Sequence, residues 1–219
     1  MPMGKPMPWL RGAVGAALAI GGAGLVTVAL LGSNAAGLPW LVAPLGASAV
    51  LVFAVPASPL AQPWSVLGGN LISATIGLAL GMVVGGATGS AMLAAGLAVG
   101  LAIAVMSLAR CLHPPGGACA LLCALGAAGP DGWGWAHLLP IAANVVTLIV
   151  IGLLYNNATG HRWPHVAPPP VPPVRSASHT RADVEQVLAG WDEVLDVSVD
   201  DLDAFATALR RHVAAREAR

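Results

Sequence analysis

The stretch Arg110-Cys111-Leu112-His113-Pro114-Pro115-Gly116-Gly117-Ala118 sets a guanidinium, an imidazole, two prolines and two glycines between one membrane-length apolar run and the next. Between Gly12 and Ala158 the only formally charged side chains are Arg110 and Asp131. A charge near the centre of a bilayer costs roughly 2.5–3.5 kcal/mol on insertion scales, so such a residue marks a functional site. The plainer reading puts Arg110 at a helix end, its long side chain reaching back to water. The Pro-Pro-Gly-Gly run favours the site. Proline suits the first turn of a helix, where its missing N–H costs nothing, and glycine lets a ligand approach the backbone. A short helix starting inside the membrane would present N–H groups and a partial positive charge, which together bind anions.

A second start of this kind is predicted at Pro44-Leu45-Gly46-Ala47-Ser48. The candidate substrate contacts are therefore Arg110, His113, Pro115, Gly116, Gly117 and Ala118 from one short helix, and Gly46, Ala47 and Ser48 from the other. Asn70 and Asn144 lie on the helices that follow and could bond to substrate or between helices. Such a site suits a small monovalent anion. The spans contain no Glu or Lys, so a carboxylate-based cation or proton site has almost no ligands. Two rivals use the same residues. Cys111, His113, Cys119 and Cys123 could hold a soft metal, but their spacing fits no standard zinc pattern. His113 as base and Cys119 as nucleophile would make an enzyme, yet no orienting acid is at hand. The expectation is neither an enzyme nor a metal or cofactor protein.

These residues need elements to position them, and composition says what kind. Hydrophobic residues make up 57% of the chain and charged ones 9%, with mean hydropathy +0.77. Soluble domains carry about 25% charged residues, so this is membrane composition. A net charge of +0 argues against a nucleic-acid partner. The three cysteines are too few for a disulfide framework. Apolar runs fall at Gly12–Leu31, Trp40–Val55, Ser65–Gly86, Ala91–Ala109, Pro115–Gly129 and Ala136–Tyr155. The first exceeds the apolar core of a signal peptide and is long enough to span about 30 Å of hydrocarbon. The expected fold is all-α and membrane-embedded, with four full spans and two short helices opening at Pro44 and Pro115. Trp9, Trp40, Trp64, Trp133, Trp135 and Trp163 sit at run ends, as interfacial anchors do, and His137 is placed at the same interface.

The short runs superpose: Pro44-Leu45-Gly46-Ala47-Ser48-Ala49 on Pro115-Gly116-Gly117-Ala118-Cys119-Ala120, with Asn70-x-x-Ser73 and Asn144-x-x-Thr147 following. Gly12–Gly86 and Ala91–Tyr155 thus read as two internal repeats. Lys5 and Arg11 before the spans, with Arg162 and Arg175 after them, place both termini in the cytoplasm. If the short helices cross the membrane, the repeats are inverted and Arg110 is also cytoplasmic; if they are re-entrant, the repeats are parallel and it faces outward. Charge bias favours inversion. The expected organisation is a membrane domain over 1–158, a stiff proline-rich linker over 159–175 and a small helical tail over 176–219. In the tail, Thr180-x-x-Asp183 and Ser198-x-x-Asp201 read as capping boxes. Val184, Val187, Leu188 and Trp191 share one apolar face, as do Leu202, Phe205, Leu209 and Val213.

With these residues in view, the chain resembles the HPP family of integral membrane proteins, named for the triplet His113-Pro114-Pro115. The likeness extends through Pro44–Val50, Ser58-Pro59-Leu60-Ala61-Gln62-Pro63, Gly68-Gly69-Asn70 and Leu154-Tyr155-Asn156-Asn157. It covers roughly residues 10–165. Asn70 departs from the histidine expected after the glycine pair. The resemblance implies a transporter of nitrite or a related anion, and the high Ala/Arg usage points to a bacterial inner membrane. A homo-oligomer is compatible with this reading. The alternative is a membrane scaffold or sensor whose tail recruits a partner.

Overall fold

The computed structural model describes residues 8–32, 37–130, 132–166, 179–190 and 199–217. Among these every regular element is helical. The chain divides into two compact units, Met1–Val166 and Ala167–Arg219.

In the first unit the elements are α1 (Pro8–Leu31), α2 (Pro44–Ala54), α3 (Pro63–Leu80), α4 (Gly86–Thr88), α5 (Ala91–Leu108), α6 (Pro114–Ala128) and α7 (Leu138–Ala158). A π-helical turn over Gly81–Gly85 joins α3 to α4, so that Pro63–Thr88 is one apolar rod. That rod, Trp9–Leu31, Ala91–Leu108 and Trp135–Ala158 are long and apolar enough to cross a membrane. The helices α2 and α6 have 11 and 15 residues. At 1.5 Å per residue they reach only about 16 and 22 Å. Both begin with proline, α6 at Pro114 rather than Pro115.

Hydrogen bonds and close approaches set the directions. Arg11 at the start of α1 meets Asn156 near the end of α7, and Thr27 near the end of α1 meets Asn144 near the start of α7. These two are antiparallel. Asn144 and Asn156 also hold the two ends of α2, at Val42 N–H and Val52 C=O, so α2 runs with α7. Trp163, just after α7, donates to Ala61 C=O ahead of α3, which therefore runs against α7. Trp64 near the start of α3 donates to Ala109 C=O at the end of α5. Successive glycines of the α3 rod, Gly69, Gly77, Gly81 and Gly85, meet successive turns of α6 from His113 to Ala128. Thus α1, α3 and α6 run one way, and α2, α5 and α7 the other.

The α3–α6 seam is the closest in the bundle. A Cβ on Gly77 would lie 2.4 Å from Ala120 O, and one on Gly116 would lie 2.6 Å from Gly69 O. Small residues let the two backbones approach in this way where lipid supplies no hydrophobic drive between helices. Exposed Trp9, Trp40, Trp64 and Trp135 fit an interfacial girdle. Trp163 does not. It is buried, donates to Ala61 C=O and fills the space over Gly152, because Asn157 clasps its backbone N–H and C=O. Residues 159–166, expected to begin a linker, are therefore packed into the first unit. His137 is likewise buried, stacked on Trp133 and bonded to Gly134 and to Gly37 C=O.

The second unit contains α8 (Arg181–Ala189) and α9 (Val199–Glu217). Thr180 caps α8 through a box with Asp183. Exposed ion pairs join Arg181 to Glu185 and Asp200; pairs of this kind add little stability. Val184, Val187, Leu188, Leu202 and Phe205 line an apolar groove of about 350 Å³. Trp191 and the Ser198 box lie outside the described residues.

The seam makes a measurable difference. Gly77→Ala should destabilise the protein by about 1–3 kcal/mol, the usual cost of overpacking. Gly96→Ala and Gly100→Ala, where a Cβ meets nothing within 4 Å, should be neutral or slightly stabilising. Thermal unfolding in detergent micelles measures all three.

Candidate functional site

Three of the residues singled out by the sequence come together inside the bundle. Ser48 Oγ lies 2.8 Å from His113 Nε2, and Asn70 Nδ2 donates to Ser48 Oγ at 3.1 Å. His113 and Ser48 are wholly buried and Asn70 is 2% exposed. The other ring nitrogen, His113 Nδ1, lies 2.8 Å from Leu60 C=O. A carbonyl can only accept, so Nδ1 carries the hydrogen, and in the neutral ring Nε2 accepts from the Ser48 hydroxyl. The result is one oriented chain: Asn70 N–H to Ser48 O–H to His113 Nε2, and His113 Nδ1–H to Leu60 C=O.

Local structure explains why these atoms meet. His113 is the extended N-cap residue of α6, followed by two prolines that cannot continue the preceding turn. Ser48 sits one turn into α2. Leu60 belongs to a tight turn that its neighbours pin: Ser58 Oγ accepts from Leu60 N–H, Gln62 donates to Pro56 and Ser58 C=O, and Ser65 donates to Pro59 C=O. Ser58-Pro59-Leu60-Ala61-Gln62-Pro63 is thus a rigid bracket that delivers one carbonyl to His113. Gly69 completes the fit, since a Cβ there would lie 2.4 Å from His113 Cβ.

The other candidates lie elsewhere. Arg110 is exposed, with a left-handed φ of 54°. Cys111 N–H bonds back to Met106 C=O, so Arg110 occupies the left-handed position of a helix-ending turn on α5. Pro115 and Gly116 are buried against α3, whereas Gly46, Ala47 and Ala118 face outward and Gly117 is half-buried. The backbone donors at the helix starts are already used: Gly116 N–H bonds to His113 C=O, and Leu45 and Gly46 N–H bond to Val42 and Ala43 C=O. Asn144 accepts from Val42 N–H and donates to Thr27 Oγ1 and Trp40 C=O, fixing the start of α2. Cys111, Cys119 and Cys123 are free and buried, and no cluster of three potential metal ligands occurs among the described residues.

Sequence reasoning misses Arg11, which it reads only as a flanking charge. Arg11 Nη2 donates to Phe53 C=O at 2.7 Å and Nη1 to Asn156 Oδ1 at 2.8 Å, so a cation closes the C-terminal end of α2. That end carries partial negative charge, which a cation offsets. The available signal is Tyr155-Asn156-Asn157, whose amides are the matching polar groups.

The profile of the HPP transmembrane region matches residues 1–164, which include the whole buried chain and its bracket. This protein belongs to the HPP family. Two Dictyostelium discoideum proteins, each described as a transmembrane protein, are similar to it. One is 36% identical over 120 residues, 54% of this chain and 38% of the relative. The second is 32% identical over 117 residues, 53% of this chain and 41% of the relative. The matched segment thus spans well under half the length of either relative. No solved structure matches. The HPP triplet itself now has a physical role: histidine, at the N-cap position, gives its ring to the buried chain, and the two prolines open the helix.

Asn144 reads as a structural clasp, and this is testable. Asn144→Ala leaves Val42 N–H unpaired in an apolar setting, at a cost of about 1–3 kcal/mol. The melting temperature in detergent micelles should fall accordingly, while Asn144→Asp, which keeps an acceptor for Val42 N–H, should lose less.

Proposed function

We propose that this HPP-family protein moves a small monovalent anion, nitrite above all, across a bacterial inner membrane, with both termini in the cytoplasm. The observation that carries this reading is the buried chain Asn70–Ser48–His113. Polar side chains in a membrane bundle are costly and concentrate on substrate pathways. Here two of the three sit on the short helices α2 and α6, and paired short segments are where transporters of repeat architecture bind their substrates.

Ser48 is the reversible member of that chain. With His113 neutral, the Ser48 hydroxyl donates to Nε2. With Nε2 protonated, the ring donates to Ser48 Oγ, and the hydroxyl hydrogen is released to an anion while the imidazolium balances its charge. Asn70 holds Ser48 in place, its two N–H groups already given to Ser48 Oγ and to Val66 C=O. Side chains rather than helix-start amides therefore make the contacts, and Arg110 acts from outside the bundle by setting the potential along the approach. Because Ser48 and His113 are fully buried, the anion reaches them only as α2 and α6 part. Catalysis is a poorer fit to the same atoms: among the described residues the Ser48 hydroxyl and His113 have no orienting carboxylate beside them, Nδ1 facing Leu60 C=O instead.

Helix directions support the inverted repeat, with α1–α2–α3 and α5–α6–α7 running in opposite senses. Two pairings also match, α1 on α7 and α2 answering α5 on α3 and α6, while the close α3–α6 seam has only a weak counterpart between α2 and α7. Arg11, Arg110 and Arg162 then share one end of the bundle, which positive-inside bias makes cytoplasmic. The second reading, recruitment of a partner through the tail, is favoured by the open apolar groove between α8 and α9.

In vesicles reconstituted with purified protein, His113→Ala and Ser48→Ala should each lower nitrite uptake ten- to a hundredfold, the worth of about 1.5–3 kcal/mol for a bond to a charged group. Deletion of residues 176–219 should leave uptake intact; its loss with expression unchanged would favour the tail-centred reading. Uptake unaltered in both point variants would sink the anion pathway.

Sidedness has its own measurement. With Cys111, Cys119 and Cys123 replaced, a cysteine introduced at Leu112 should react with impermeant reagent from the cytoplasmic face alone. Reaction from outside would support the re-entrant, parallel arrangement.

A further inference from the structure

The start of α1 and the end of α7 border a groove of about 380 Å³ lined by Leu10, Arg11, Val14, Tyr155 and Thr159. The Arg11 guanidinium carries five N–H donors, of which Nη1 and one hydrogen of Nη2 are committed within the protein. Its hydrogen-bond partners among the described residues are all neutral: Asn156 Oδ1, Phe53 C=O and, at 3.5 Å, Thr159 Oγ1. The Nε–H is shielded from water and has no partner among them. Across residues 1–166 the cations Lys5, Arg11, Arg110 and Arg162 face a single acid, Asp131. Among the described residues Arg11 is therefore a cation without a protein counter-charge, at the end of a span. Trp9, 64% exposed in the same turn, marks the level at which headgroups lie. Leu10 and Val14 offer aliphatic walls, 44% and 43% exposed.

We propose that this groove binds an anionic phospholipid, its phosphate beside the Arg11 guanidinium charge and one acyl chain along Leu10 and Val14. The ligand's charge would supply what the fold leaves out, and its tail would cover the aliphatic walls. Because Arg11 also closes α2, the lipid would brace the C-terminal end of that short helix. This inference depends on the membrane fold and not on the transported substrate.

Native mass spectrometry of the full chain, given phosphatidylglycerol and phosphatidylcholine with identical acyl chains, tests it. Phosphatidylglycerol should be retained about fivefold over phosphatidylcholine, the effect of one basic side chain at the surface. Arg11→Gln should bring the ratio to parity. Val14→Trp, which fills the groove but keeps the guanidinium and its bonds, should do the same, so the test survives a folding defect in the first variant. Arg110→Gln should leave the ratio unchanged. Equal retention of the two lipids by the parent, or a preference that persists in Val14→Trp, overturns the proposal. Displacement of phosphatidylglycerol by millimolar inorganic phosphate also overturns it, since the site would then take free anions.

Discussion

Hydrocarbon offers no hydrogen bonds, so every helix end inside a membrane bundle must find its partners within the protein. Full-length spans meet this demand by ending in the interface. A helix of 11 residues cannot, and α2 leaves orphan groups at both ends. The fold answers with α7. Asn144 and Asn156 stand twelve positions apart, about 18 Å along the helix, which matches the length of α2, and they take Val42 N–H and Val52 C=O. Arg11 takes the next carbonyl, at Phe53. Much of the rest follows from this clasp, because a short helix held at both ends cannot tilt or slide, and its middle turn carries Ser48.

The start of α6 is solved differently. Two prolines remove two donors that would otherwise need partners, and Gly116 N–H turns back onto His113 C=O. His113 then directs its ring to Ser48 and Leu60 instead of capping its own helix. The cost is that α6 must come very close to α3, which the glycines at 69, 77, 81 and 116 permit. The π-helical turn at Gly81–Gly85 lies on the same seam, where such turns adjust the register of one helix against its neighbour. Short-helix chemistry and glycine packing are therefore a single arrangement: without the close seam, His113 would not reach α2.

How much of this is legible in the chain depends on range. Span positions, the proline starts at Pro44 and Pro114-Pro115 and the Thr180 cap depend on neighbouring residues, and the sequence locates them. Ser48, His113 and Asn70 stand out as candidates, but for backbone anion binding; nothing local shows that their side chains bond to one another across 22 and 65 positions. Arg11 and Arg110 illustrate the limit best. Both sit at the end of an apolar run, yet the sequence marks Arg110 as a candidate contact and Arg11 only as a flanking charge. One lies opposite the negative end of α2 and is drawn in; the other terminates α5 in a left-handed turn and stays exposed. Trp163 misleads for a similar reason, since only the distant Gly152 and Ala61 make room for it and bond to it.

The same geometry bears on what the buried chain can do. Leu60 C=O fixes the tautomer of His113, so the only freedom left in Asn70–Ser48–His113 is the sense of one hydroxyl. A neutral chain offers an anion nothing it can use, because the Ser48 hydrogen already points at nitrogen. Protonation reverses that hydrogen and adds the positive charge in the same event. Under the proposed function, binding of an anion and uptake of a proton would be linked through one atom, and by reciprocity each would raise the affinity for the other. In such a pathway a fixed guanidinium at this position would hold its anion permanently, whereas a histidine poised by a carbonyl would release both ligands together. That difference gives a physical reason for a histidine, and not an arginine, to head the triplet after which the family is named.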